Sequence, residues 1–439
     1  MILRINIKNF VSFYEEQEFN LFPNPKRESF PSHIYNTMAV PLLKLSAIYG
    51  ANGSGKSNFL EAVRFLKRFA TEKDFLKTFP IEMNKFRLAS EKNTQPIHIS
   101  IEFSTKKESY IYSFYINDFG VEKEELWISG VGKTENKLIY RREQNRLQLE
   151  NNNLNGEIEE TIQHLFDKNP KASLLALNKE FPIIKSEEVN DATWWLNEQL
   201  HILSLRRVNP TLLAMLENDE FYSFASNILK KIGIGFNKMV IEEKELSEIL
   251  SNEDEESQLI KNEILKNLDK NLFISKINND KVVFSFEKKD NRRIVKQLLF
   301  EQEGIGNYKA NIEFEAQSDG TAKVMNLIPA LYDIRNNDCA YFIDEIENSI
   351  HPALITELIK YVGEMKTKGQ LIFSTHETEL LNQQEILRPD EVWFTEKHQG
   401  CTQLYSLNDF KIHNTINIKN GYLEGRFGAI PFLGTLNDN

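Results

Sequence analysis

The chain opens on an alternating stretch in which Leu3, Ile5 and Ile7 interleave with Arg4, Asn6 and Lys8. A period of two predicts a half-buried strand, and residues 1–22 as a whole read as one or two strands. The next apolar run, Leu42–Tyr49, is short and nearly continuous, as a buried strand is. Beyond a glycine-rich segment, Phe59, Leu60, Val63 and Leu66 recur at helical spacing. Ile97–Phe103 and Tyr110–Ile116 alternate again and predict a hairpin that turns at Lys106-Lys107-Glu108, with strand-like segments continuing to about Leu149. Residues 151–156 break the pattern with four asparagines and a glycine around Leu154. From about 157 to 275 the spacing reads mainly as helix. Within it, Trp194 and Trp195 cannot share one helix face, so one is expected in the core and the other at an interface. The acidic run Glu242–Glu256 is expected to be a solvated face. Strand and helix then alternate from Val282–Phe286 to the end, through a helical Lys323–Ile328, a strand Cys339–Glu345, a helix Ala353–Met365 and a strand Gln370–His376. That order predicts an α/β fold with a parallel or mixed sheet flanked by helices. The expected division is an N-terminal part at 1–150, a mainly helical insertion at 151–280 and a C-terminal part at 281–439. No internal repeat and no sustained heptad pattern occurs, which argues against a coiled-coil arm.

The glycine-rich segment supplies the first chemistry. Gly50-Ala51-Asn52-Gly53-Ser54-Gly55-Lys56-Ser57 follows G-x-x-x-x-G-K-S between an expected strand and an expected helix, the context a phosphate-binding loop requires. Glycines let successive backbone N–H groups converge on phosphate oxygens, and the helix N-terminus adds partial positive charge. Gly50, Asn52, Gly53, Ser54, Gly55, Lys56, Ser57 and Asn58 are therefore the candidate nucleotide-binding residues. Lys56 would reach the β- and γ-phosphates of ATP, and the Ser57 hydroxyl would bind Mg²⁺.

The complementary residues lie far along the chain. Cys339–Glu345 is an apolar strand ending in two carboxylates. Asp344 is the candidate Mg²⁺ carboxylate, and Glu345 the candidate for orienting and polarising an attacking water. Gln370–His376 ends in a histidine placed to contact a γ-phosphate. Ser318-Asp319-Gly320-Thr321 precedes a helix, so Ser318 and Gly320 would form a second anion-binding surface. Glu345, His376 and Lys56 are the catalytic candidates.

Composition narrows the partners. At 439 residues with 41% hydrophobic content the chain is long enough for two or three domains. A formal charge of −11 argues against a surface that is basic throughout. A local basic stretch remains, Lys281–Lys296, which would track a nucleic-acid backbone or form a solvated hairpin. Two cysteines, Cys339 and Cys401, imply no disulfide framework. No secretory signal is present, and no apolar run approaches the ~20 residues that span a bilayer. A cytoplasmic protein without a membrane partner is expected.

Together with Asn9-Phe10-Val11-Ser12-Phe13 after the first strand, these motifs resemble those of ATP-binding-cassette (ABC) type ATPases, in the RecF/SMC/OLD-like branch. The match named within it is the RloA/AbiLii-like group of bacterial defence ATPases. Its further marks are the Ser349–Pro352 turn, Thr375-His376, the segment Leu387–Phe394 and the tail Tyr422–Pro431. The resemblance covers residues 1–70 and 310–439, with looser support across 97–130. It implies a P-loop NTPase head of ABC type that works as a head-to-tail homodimer or within a larger oligomer. Each ATP would lie between the phosphate loop of one head and the Ser318–Gly320 segment of another. It further implies ATP hydrolysis as a switch for a separate effector, a nuclease or toxin, in anti-phage defence. The alternative is a RecF/SMC-like ATPase that binds DNA in repair or recombination. Two departures stand out. The motif reads Ser-Asp-Gly-Thr in place of Ser-Gly-Gly-Gln, and Gln95 is a Q-loop candidate by position only, a surface-loop glutamine being the favoured reading. The residues after His376 are too few for the TOPRIM nuclease domain of OLD-type relatives, so nuclease chemistry is expected on another chain.

Overall fold

In a computed structural model, residues 1–36, 40–89, 93–150, 156–205, 212–245, 258, 272–277, 282–289, 292–382, 386–411 and 417–431 are described. The chain divides into two compact units, one of residues 1–203, 334–346 and 359–439, the other of 204–333 and 347–358.

The first unit contains two large sheets. In the seven-stranded sheet, strands Ile2–Lys8, Gln17–Asn20, Ile97–Ser104, Ser109–Asn117, Gly120–Ile128, Lys137–Glu143 and Arg146–Leu149 pair antiparallel throughout. The six-stranded sheet runs in the order Leu200–Leu203, Ala340–Ile343, Gln370–Ser374, Leu45–Tyr49, Val392–His398, Cys401–Ser406. Its first five strands are parallel and the last returns antiparallel. Helix Lys56–Thr71 is apolar on more than one side because it contributes to a core shared by both sheets. Phe59 meets Phe342 of the six-stranded sheet at 6.1 Å, while Phe69 meets Phe114 of the seven-stranded sheet at 4.5 Å. Burying a large apolar side chain stabilises by roughly 1.5–3 kcal/mol each, so these contacts hold the helix near both of its ends.

Leu387–Phe394, one of the segments that carries the family resemblance, has a structural role at the opposite end of that sheet. Arg388 is fully buried. It donates to Asp390 through Nε at 2.9 Å and Nη2 at 2.8 Å, and to the carbonyls of Ser29 and Arg27. Glu391 accepts from the Arg388 amide at 2.7 Å and contacts His33 Nδ1 at 2.9 Å. Buried charges are tolerated when paired and hydrogen-bonded. Here they fix residues 24–33 to the start of strand Val392–His398. Burial raises the Glu391 carboxyl, opposed by its bonds to His33 and the Arg388 amide.

The second unit has a five-stranded antiparallel sheet in which Arg292–Glu303 pairs with Lys238–Glu245, Val282–Lys289 and Lys309–Glu313, and Val282–Lys289 with Leu272–Ile277. Helix Asp219–Lys231 begins at an Asn218 cap and packs Phe221 and Phe224 on Tyr332. The expectation of mainly helix over 157–275 is therefore only partly met. Helices run over Gly156–Lys168, Leu174–Glu180, Glu187–Trp194, Leu212–Leu216 and Asp219–Lys231, but Leu200–Leu203, Lys238–Glu245 and Leu272–Ile277 are strands. Lys238–Glu245 takes its conformation from Arg292–Glu303, a distant partner that helical spacing cannot register. Part of the expected acidic run, Glu242–Glu245, lies in this strand; residues 246–257 fall outside the described ones. The unit boundaries also differ from 150 and 280. Residues 156–203 pack within the first unit and 282–333 within the second, because pairing partners rather than composition define compactness.

Trp195 is buried and stacks on Phe103 at 4.5 Å, whereas Trp194 is 52% exposed, the split expected of adjacent tryptophans. Both cysteines are free. Among the described residues, no helix is long and apolar enough to cross a membrane.

Candidate functional site

Three adjacent parallel strands end together. Ile48 pairs with Ser374 and Ile343 with Phe373, so the loop Gly50–Ser57, the pair Asp344-Glu345 and the segment Ser374–His376 all leave the carboxyl edge of one sheet. In open α/β sheets that edge is where ligands bind. The structure thus gathers Lys56, Ser57, Asp344, Glu345 and His376 at one edge. Ser318 and Gly320 lie in the second unit.

The phosphate loop is shaped by its glycines and braced by hydroxyls. Gly53 has φ 77° and Gly55 φ 119°, the left-handed region that side chains disfavour. A Cβ on Gly55 would fall onto the Thr402 hydroxyl, while one on Gly53 would meet open space. Thr402 Oγ1 donates to the Ser54 carbonyl at 2.8 Å and lies 2.7 Å from Ser12 Oγ. Ser12 Oγ in turn accepts from Asn58 Nδ2 at 2.7 Å. Ser54 Oγ lies 2.6 Å from Thr395 Oγ1, which donates to the Tyr49 carbonyl at 3.2 Å. Ser12, Ser54, Thr395 and Thr402 are all buried. The Asn9–Phe13 motif thus acquires a physical role: its serine braces the loop from behind. Asn58, expected to touch nucleotide, directs its amide to that serine. Thr395 and Thr402 carry no signal in the sequence, since a threonine in a strand is ordinary.

Lys56 is 5% exposed, and its ammonium donates to the carbonyls of Gly50 at 2.7 Å and Ala51 at 3.2 Å. Asn52, Gly53 and Ser57 are exposed at the loop surface. We expect Gly55→Ala to lower stability by about 1–3 kcal/mol in urea denaturation, and Gly53→Ala, which meets only the dihedral penalty, by about 1 kcal/mol. Equal losses in the two variants would show that the Thr402 contact does not constrain the loop.

On the neighbouring strands, Asp344 Oδ1 accepts from Ser374 Oγ at 2.5 Å, and the amide of Glu345 donates to that same Oγ at 2.8 Å. Glu345 has φ 48°, a left-handed backbone on a side chain with no local reason to adopt it. His376 is exposed, one residue beyond the buried Thr375, whose amide donates to the Ile48 carbonyl at 3.0 Å. Gln95 is exposed, and its backbone carbonyl accepts from Asn9 Nδ2 at 2.8 Å.

In the second unit, Ser318 caps helix Asp319–Asn336: its Oγ accepts from the Thr321 amide at 3.2 Å. A Cβ on Gly320 would come within 2.8 Å of the Ser349 carbonyl, and Lys323 Nζ donates to Ser349 Oγ at 3.1 Å. The helix start and the Ser349 turn are packed together closely enough to require glycine. Of the basic stretch, Lys296 is buried and paired with Glu217 and Glu243, which removes it from any cationic groove. Lys281 lies outside the described residues, as do the side chains of Lys288, Lys289, Arg292 and Arg293.

The tail packs behind the loop. Tyr422 meets Tyr49 at 5.7 Å and stacks on Phe394 at 5.6 Å, and Tyr405 Oη donates to the Phe427 carbonyl at 2.9 Å. Burial pushes the Tyr422 hydroxyl up to about 12. Arg426 is exposed on that tail.

The residues at the carboxyl edge fit a magnesium nucleotide. Gly53, left-handed and with open space where a Cβ would stand, leaves the exposed side of the loop free for close backbone approach. Ser57 and Asp344 offer the hard oxygen ligands Mg²⁺ prefers. Among the described residues no group of three or more His, Cys, Asp or Glu side chains is arranged to hold a metal ion, so the ion would depend on phosphate and water for its remaining ligands.

A family model described as "AAA domain, putative AbiEii toxin, Type IV TA system" matches residues 45–382. No curated protein matches the chain. Among solved structures, an SMC head bound to the C-winged helix domain of ScpA is 13% identical with a TM-score of 0.43, covering 92% of this chain and 97% of that one. The SMC head domain from Thermotoga maritima is likewise 13% identical, with a TM-score of 0.42 and coverage of 92% and 98%.

Proposed function

Because the chain belongs to the AAA-domain, AbiEii-toxin-like family of ATPases, we propose that it is a Mg²⁺-dependent ATP hydrolase whose heads dimerise on ATP and switch a separate effector. The observation that carries this reading is the convergence of the Gly50–Ser57 loop, Asp344-Glu345 and His376 on one sheet edge. Backbone N–H groups of Gly53–Lys56 and the Lys56 ammonium bind the phosphates. Ser57 and Asp344 would hold Mg²⁺, which would supply charge neutralisation at the phosphate oxygens. Glu345 positions the attacking water, and His376 contacts the γ-phosphate.

Ser318 and Gly320 serve a second copy. A capped helix start whose glycine admits no side chain is an anion-binding surface, and in a head-to-tail dimer it faces the phosphate loop of the other chain. The effector is a nuclease or toxin on another chain, and the setting is anti-phage defence. The DNA-binding alternative stands second because the chain carries a formal charge of −11, and ion pairs occupy Lys296, one of the six basic residues of that stretch.

Mixing two inactive variants tests the dimer. Lys56→Ala and Ser318→Arg should each hydrolyse no ATP alone. Mixed, they rebuild one intact composite site per mixed dimer, and turnover should recover to roughly a quarter of wild type. Activity of Ser318→Arg alone at the wild-type rate, or no recovery on mixing, would remove the composite site from the mechanism.

A further inference from the structure

We propose that Ser374 is a positioning residue that sets both carboxylates of the site through one hydroxyl. The inference rests on the reading that Asp344 serves a bound divalent cation. Ser374 is fully buried at the last position of strand Gln370–Ser374. Its Oγ donates to Asp344 Oδ1 at 2.5 Å and accepts from the Glu345 amide at 2.8 Å, and its carbonyl accepts from the Ile346 amide at 3.1 Å. Three consecutive residues, one by its side chain and two by their amides, are therefore anchored to a single neighbour on the adjacent strand.

Two consequences follow from the geometry. A carboxylate with one oxygen engaged by a fixed donor no longer rotates freely, so its other oxygen is offered in one orientation. Partners of this kind set the orientation of metal ligands and are worth about 10–100-fold in metal affinity or activity. The second consequence concerns Glu345. A left-handed residue of this type costs about 1–2 kcal/mol. The two amide bonds to Ser374 hold the turn at φ 48° against that cost, and the turn directs Glu345 out of the strand immediately after Asp344. Ser374 is also two residues from His376. One strand end thus supplies the group that positions the carboxylates and the histidine itself.

The test uses full-length wild type, Ser374→Ala, Asp344→Asn and the double variant. Mn²⁺ binding is read by electron paramagnetic resonance in the presence of a non-hydrolysable ATP analogue. Affinity for a fluorescent ATP analogue is read separately in EDTA. Ser374→Ala should lose about 10–100-fold in Mn²⁺ affinity and keep its metal-free nucleotide affinity within about twofold. In the Asp344→Asn background the same substitution should lose nothing further, because a residue that acts through Asp344 has nothing left to orient. If Ser374→Ala does not fold, Ser374→Cys, close in volume and a weaker donor, should still lose about 10-fold. Unchanged Mn²⁺ affinity in the folded variant, with Asp344→Asn impaired, overturns the inference and leaves the ATPase reading intact. So does full additivity in the double variant. A wild-type protein that binds no nucleotide in either assay overturns the ATPase reading and this inference with it.

Discussion

Glu345→Gln is expected to reduce ATP turnover by about 10²–10⁴-fold while ATP remains bound, the range lost when a residue that takes or directs a proton in the transition state is neutralised. The substitution preserves volume and leaves the backbone bond from residue 345 to Ser374 Oγ in place, so the left-handed turn should survive. It removes only the negative charge that polarises water. The loss should therefore fall on the maximal rate and leave substrate binding nearly unchanged, the signature of an interaction made in the transition state. A second readout follows from the proposed dimer. With ATP bound and hydrolysis blocked, closed dimers should accumulate, and light scattering should show a doubled mass with ATP and Mg²⁺ but not with ADP. Turnover at the wild-type rate would remove Glu345 as the water-positioning residue. Blocked turnover without a change of mass would keep the chemistry and discard the ATP-driven closure.

Lys56→Ala should abolish detectable nucleotide binding at micromolar concentration. A charge-assisted hydrogen bond contributes about 1.5–3 kcal/mol, and losing the upper value weakens affinity by ~100-fold. The side chain is buried at the start of a helix whose following residues are fixed between two sheets, so its ammonium is held at the loop. Isothermal calorimetry with ATP in EDTA isolates this term from the metal. The melting temperature should stay near wild type without nucleotide and should no longer rise when nucleotide is added, since a ligand stabilises only the protein that binds it. ATP affinity within threefold of wild type would contradict the assignment of the loop.

Much of the site was legible from local pattern. The strand–loop–helix around Gly50–Ser57 forms as spaced, and the strands ending at Ile343 and Ser374 place Asp344 and His376 just beyond them. Elements whose partners are distant were less legible. Lys238–Glu245 mixes polar and apolar residues without strict alternation, and its state is decided by pairing with Arg292–Glu303. The hydroxyls that brace the loop were silent for a related reason. Thr395 and Thr402 touch Ser54 only because a hairpin more than three hundred residues away in sequence returns beside it.

The sequence by itself determined which groups can meet a phosphate or a metal: glycines that admit left-handed backbone, a lysine and serine at a helix start, two carboxylates and a histidine at strand ends. Those are properties of a few consecutive residues and their backbone geometry. Only the tertiary structure decided that these strand ends are neighbours, that the Asn58 amide meets Ser12, and that Ser374 hydrogen-bonds to both Asp344 and Glu345. The physical reason is register. In a parallel sheet, adjacent strands are separated by long stretches of chain, so which hydroxyl stands beside which carboxylate is set by long-range pairing and packing of the core, and no local spacing records it.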